Sequence, residues 1–294
     1  MCITPSLGSD FAELSKKFNL NLGASVEKGT LDVTAMFQLL MMKYGRRKTF
    51  CWIAWDFPDE DDWTKFEMPF GDQMIWLKKL KDVVESFGFI VYVEKLGHGG
   101  MEFNHKMIKN KVGIDDTMIR KLENQLGARG KGAPGDPFFW ILKKELLPDI
   151  EARTGGNVSI GHILEYPDCC INYFVDQKTR VLIDLLQLIP FNDLFTKDEQ
   201  VIEFCLENYQ RCSYPPFQKL EKEFKNHTAE SEKLFRFISH QACQNCMDNP
   251  QTSPSAILNE TYANFATQID NKLFSYFDKN GMAINVSGQE SRSS

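Results

Sequence analysis

The sequence contains no long hydrophobic run. None of its apolar stretches approaches the roughly 20 residues needed to cross a bilayer as a helix, which argues against a membrane-spanning chain. The opening residues, MCITPSLGSDFAELSKK, lack a continuous apolar segment ahead of their charges and do not read as a secretory signal. A surplus of positive charge is missing too. Lys and Arg total 34 against 40 Asp and Glu, for a net charge of −6, which argues against a broad basic face for phosphate backbones. A nucleic-acid partner would depend on a local patch. No internal repeat is visible.

What is present is a chain of 294 residues, 43% of them hydrophobic, long enough for two ordinary domains whose core needs no covalent staples. Without an export signal the expected compartment is the cytoplasm, where thiols stay reduced. The eight cysteines therefore read as core residues, metal ligands or redox thiols rather than as disulfides.

The first half alternates helical and strand-like patterns. Val33, Met36, Phe37 and Leu40 recur at helical spacing, and Gly45 closes that segment. FCWIAW (50–55) and FIVYV (89–93) are short continuous apolar runs, as in strands covered on both faces. Between them, residues 72–88 carry an amphipathic stripe starting after Asp72 and ending at Gly88. The pattern predicts a β-α-β unit with parallel strands. LGARGKGAPGDP (126–137) is a Gly- and Pro-rich break whose Asp136-Pro137 pair is placed to start a helix through FFWILKKELL. A second break, RTGGN (153–157), separates the halves. Beyond it helical spacing dominates, and residues 254–277 read as one helix with Ser253 as N-cap and Pro254 at its first position. The expectation is an α/β module, Rossmann-like with a small parallel sheet and complete or truncated, over 1–155. A mostly α-helical cysteine-rich domain follows over 156–294, with a frayed polar tail from 280 to 294.

Chemistry concentrates in two thiol motifs. EYPDCCINYF (165–174) places Cys169 and Cys170 directly after Pro167, in the first turn of a helix, where unpaired N–H groups favour thiolate. His240, Cys243 and Cys246 follow far downstream in SHQACQNCMD (239–248), and Cys-x-x-Cys is a recurring element of zinc and iron–sulfur sites. Successive helical side chains diverge by about 100°, so the adjacent cysteines are not expected to face one small ion together. Two closures follow. One adjacent thiol with His240, Cys243 and Cys246 makes a Cys₃His zinc site, whereas Cys169, Cys170, Cys243 and Cys246 can surround an iron–sulfur cluster. A third reading is a metal-free redox centre with Cys169 as the reactive thiol.

SIGHILEYPDCCINYF resembles the hallmark of a mainly archaeal, uncharacterised family with a Gly-Tyr-Pro-x-Cys-Cys motif and a later cysteine pair; Glu165 stands here in place of the motif's glycine. The resemblance covers roughly the C-terminal half and implies site residues rather than a reaction. The spacing is also similar to that of iron–sulfur epoxyqueuosine reductases, although the surrounding residues differ.

A second constellation is acidic. Asp56 follows the strand-like FCWIAW and precedes Asp59, where ligands of parallel α/β sheets bind. WDFPDEDDW followed by KVGIDD (111–116) resembles the latter part of a Toprim-like domain. That resemblance implies a Mg²⁺ site at Asp56 and Asp59, with Asp115 and Asp116 in the trailing motif, and nucleic-acid processing in a mobile element. A solvated acidic loop explains the same residues. The Gly-rich GARGKG (127–132) reads as a linker, His98 as a turn residue, and His227 as a surface residue at a helix start.

Overall fold

The computed structural model describes residues 7–18, 26–53, 81–94, 102–130, 138–153, 160–209 and 215–282. Asp56, Asp59, His98 and the tail from 283 lie outside the described residues.

The chain opens with helices α1 (Leu7–Phe18) and α2 (Val26–Lys43), then strands β1 (Thr49–Ile53) and β2 (Ile90–Glu94). Helices α3 (His105–Val112) and α4 (Asp116–Gly130) precede strand β3 (Phe138–Leu142). The remainder is helical: α5 (Leu147–Arg153), α6 (Ile160–Ile163), α7 (Asp168–Leu186), α8 (Phe191–Thr196) and α9 (Asp198–Tyr209). It continues through α10 (Pro215–Leu234), α11 (Gln244–Asp248), α12 (Pro254–Ile269) and α13 (Asn271–Asn280).

The sheet corrects the expected Rossmann-like module. Its order is β1-β3-β2, and β3 pairs antiparallel with both neighbours, Cys51 opposite Trp140 and Tyr92 opposite Trp140. β1 and β2 never touch as parallel partners, so among the described residues there is no β-α-β crossover sheet of the kind the Toprim resemblance implies. The inserted strand is the segment expected to be helical. FFWIL has no polar position to face water, and its Trp140, Ile141 and Leu142 are fully buried in the middle of the sheet. A helix that is apolar all round needs burial on every side, whereas a central strand obtains it from two faces and two paired edges. The helical C-terminal part agrees with expectation, with one break. Asp270 adopts an extended backbone and its carboxylate accepts the Lys272 N–H at 2.7 Å, ending α12 and capping α13.

Three buried clusters follow. The largest joins Met36, Phe37 and Leu40 of α2 to Phe265 of α12 and Phe277 of α13, with the Phe37 and Phe277 ring centroids 4.9 Å apart. Asp10 of α1 is tied to the end of α2 by donation from Lys43 Nζ at 2.6 Å and from the Tyr44 hydroxyl. A second cluster packs Ile119 and Leu122 of α4 against Leu182 and Leu186 of α7 and Cys205 of α9. A third places Ile150 and Leu164 against β3. Helix α7 bridges two of these, because its first turn contributes Cys170 to the largest cluster and its second half contributes Leu182 and Leu186 to the second. That bridging fixes where its N-terminus points.

Candidate metal centre

The first turn of α7 is set by the chain before it. Pro167 precedes the helix with φ −59° and ψ 135°, and its carbonyl accepts from the Cys170 and Ile171 N–H groups at 2.9 and 3.0 Å. Two residues earlier Glu165 has φ 59°, the left-handed region that glycine occupies without cost. This is the position where the resembled motif carries glycine. The Glu165 carboxylate accepts the Lys48 N–H at 2.9 Å and pairs with Lys48 Nζ at 3.2 Å, which helps to hold the turn. Gly161 of α6 packs so closely on α7 that a Cβ there would lie 2.6 Å from Ile171 Cγ1.

The downstream motif is equally constrained. Cys243 is the N-cap of α11, and Cys246 lies within that short helix. His227 and Ser231 of α10 grip the residue just before it. His227 Nε2 donates to the Ala242 carbonyl at 2.6 Å, and the Ala242 N–H donates to Ser231 Oγ at 2.8 Å. The Tyr173 hydroxyl of α7 lies 3.3 Å from His227 Nδ1, with the two rings stacked at 4.8 Å. His227 is thus a buried residue in the middle of α10, not a surface residue at a helix start.

These constraints bring four sulfurs together. The ligand atoms of Cys169, Cys170, Cys243 and Cys246 all lie within 4.8 Å of one another, a set that can hold a metal ion. Cys169 to Cys246 is 3.6 Å, Cys170 to Cys246 is 3.7 Å, and the adjacent pair is 3.9 Å apart. The divergence expected of Cys169 and Cys170 applies to their Cα–Cβ directions. Rotation about χ1 moves each sulfur and closes the remaining gap.

His240 does not join the sulfurs. Its Nε2 lies 3.0 Å from Ser255 Oγ and its ring packs at 4.8 Å on that of Tyr166. Burial, reinforced by the nearby Arg47 charge, pushes its pKa down to about 3, so the imidazole is neutral. Arg47 is itself buried, donating to Gln38 Oε1 at 2.8 Å, Ser239 Oγ at 3.2 Å and the Thr49 carbonyl at 2.7 Å.

Ser255 is the residue that sequence reasoning missed. It lies in the first turn of α12, behind the Ser253 cap and Pro254, and is fully buried. Its hydroxyl is 3.3 Å from Cys170 Sγ. The Cys243 N–H donates to the same sulfur at 3.3 Å. Two helix N-termini, of α7 and α12, therefore meet the sulfur set with their positive ends. The Ser-Pro-Ser start of α12 was legible as a cap, but nothing local linked it to cysteines.

The thiols are not equivalent. Burial pushes Cys169 up to about 11, helped by its contacts with Cys246 and Cys243, and burial also raises Cys170. Burial would raise Cys246 as well, yet hydrogen bonds from the Ser255 hydroxyl and N–H and from Cys169 and Cys243 bring it down to about 7. Cys205 is buried in the α9 core away from this group.

Asp115 and Asp116, the members of the acidic constellation within the described residues, have structural partners. Asp115 Oδ1 accepts the Met118 N–H at 2.9 Å and caps α4. Asp116 lies 2.8 Å from His105 Nδ1 and also pairs with Lys109.

Residues 146–239, within the C-terminal half, match the model of a family described as "Protein of unknown function (DUF483)". The matched segment contains Cys169 and Cys170 and stops before His240 and the second cysteine pair. No curated protein and no solved structure matches the chain.

Proposed function

We propose that this chain is a cytoplasmic metal-binding protein in which Cys169, Cys170, Cys243 and Cys246 hold one zinc ion as a tetrathiolate. The observation that carries the reading is the sulfur spacing. Zinc–sulfur bonds of about 2.3 Å in a tetrahedron put sulfurs roughly 3.7 Å apart. Three of the six separations, 3.6, 3.7 and 3.9 Å, fit that edge, and the three to Cys243 lie within 4.8 Å. Ligands of an iron–sulfur cluster would be spread to about 6–7 Å, and all four sulfurs here lie within 4.8 Å.

The surroundings fit a doubly negative tetrathiolate centre. The Ser255 hydroxyl, the Cys243 N–H and the two helix N-termini supply positive polarity where the charge would be buried. Four protein ligands leave no open coordination position, which suits a structural ion that pins α7 to α11. A reducing compartment keeps such thiols available. Elemental analysis of the protein purified without oxygen tests the reading. One zinc per chain is expected; iron at that level, or no metal at all, rejects it.

A further inference from the structure

Resting on the tetrathiolate reading, we propose that Cys169 is the one thiolate of the site that reacts with soft alkylating electrophiles, and that its modification releases the metal. Two observations together single it out. The first is access. Cys170, Cys243 and Cys246 are 4%, 3% and 0% exposed, whereas Cys169 is only half-buried, in the first turn of α7. Beside it, the side chains of Asp168 and His162 are 83% and 55% exposed. An electrophile reaching the site from water meets Cys169 first.

The second is hydrogen bonding. Cys170 Sγ receives the Cys243 N–H and contacts the Ser255 hydroxyl, and Cys246 is held by the Ser255 hydroxyl and N–H. Among the described residues Cys169 Sγ has hydrogen-bond contacts only with other sulfurs, and Cys243, whose sulfur likewise has no N–H or O–H donor, is buried. A hydrogen bond to a thiolate withdraws the electron density that a nucleophile uses, so sulfurs without N–H or O–H donors keep the most. Exposure and missing donors coincide at one of four ligands.

The step balances without a redox partner. A lone pair on Cys169 Sγ forms a bond to the electrophilic carbon. The bond from that carbon to its leaving group breaks, and the leaving group departs with the electron pair. Sulfur becomes a neutral thioether, a much poorer zinc ligand than thiolate. Three ligands remain, and the first turn of α7 keeps only its Cys170 link to the α11 cysteines, so the ion is held more weakly and leaves.

The test uses the full-length, zinc-loaded protein with equimolar iodoacetamide at pH 7. Zinc release is followed with a chromophoric chelator, and labelled positions are mapped by peptide mass. Carbamidomethylation at Cys169 is expected to exceed that at each of Cys170, Cys243 and Cys246 at least tenfold, with zinc released in step. Cys169→His, which keeps a fourth ligand, is expected to retain zinc and to slow both signals more than tenfold. Should that variant fail to fold, the wild-type map decides alone. Even labelling of the four, labelling first at a buried cysteine, no labelling at any of them, or a labelled Cys169 with zinc retained overturns the proposal. Protein that never carries zinc overturns the tetrathiolate reading instead.

Discussion

The Sγ atoms of Cys170 and Cys246 lie 3.7 Å apart although 76 positions separate the two residues in the chain. Closing a loop of that length costs conformational entropy, and here the closure is held by the packing of α7 on α10, the grip of His227 and Ser231 on Ala242, and the burial of both cysteines. The polar fittings around the sulfurs are thus part of the fold's own framework.

His240 is expected to be dispensable for metal binding. His240→Asn should still carry one zinc per chain by elemental analysis, because the imidazole bonds Ser255 rather than entering the sulfur set. Cys246→Ser should lose it.

Ser255→Ala should weaken zinc affinity by about 10- to 100-fold in a competition titration, the usual cost of removing a residue that supports metal ligands. The fold should persist, since Ser253 still caps α12 through the Ala256 N–H.

Chelation should loosen the α7–α11–α12 corner first. A drop in Tm of more than about 10 °C is expected with a strong chelator. Amide exchange should rise in residues 168–171 and 243–248 before it rises in the α4–α9 contacts. Equal loss across all helices would contradict this order.

Asp10→Asn should destabilise the protein by about 1–3 kcal/mol at neutral pH, through loss of charge-assisted hydrogen bonds that join α1 to α2. Burial would push the Asp10 carboxyl up, but donation from Lys43 and Tyr44 and the Lys43 charge together hold it below its ordinary value. A carboxylate held low in the fold stabilises fully above its unfolded pKa, near 4, and loses that contribution as the pH falls through the lower folded value. Denaturant titrations of both proteins should therefore begin to converge as the pH falls below about 4 and meet only below the lowered folded value.

Gly161→Ala should cost about 1–3 kcal/mol, because the new Cβ would meet Ile171 Cγ1 at 2.6 Å in the turn that aims Cys169 and Cys170. Thermal melts with and without zinc measure it. A neutral effect would mean that α6 gives way easily.

Particular residues show how far the sequence could be read. Ser253 and Pro254 start α12 as their types require, and Gly45 follows α2 with φ 68°, because capping and left-handed turns depend on near neighbours. Phe138–Leu142 was misread because a short apolar run satisfies either a buried helix or a buried strand, and its choice was made by β1 and β2 lying free on both sides. The candidate site divided in the same way. The two cysteine pairs stand out in the sequence, whereas Ser255 and His227 carry no local mark of their roles.

The sequence by itself determined the helical C-terminal half, the caps, and the identity of the four thiols, since each follows from interactions spanning a turn or two of chain. Only the tertiary structure decided that both members of the Cys169–Cys170 pair turn to one centre, that His240 stays outside it, and that the sheet is antiparallel. Those outcomes depend on which distant surfaces meet, and side-chain rotation and strand pairing respond to that meeting rather than to sequence spacing.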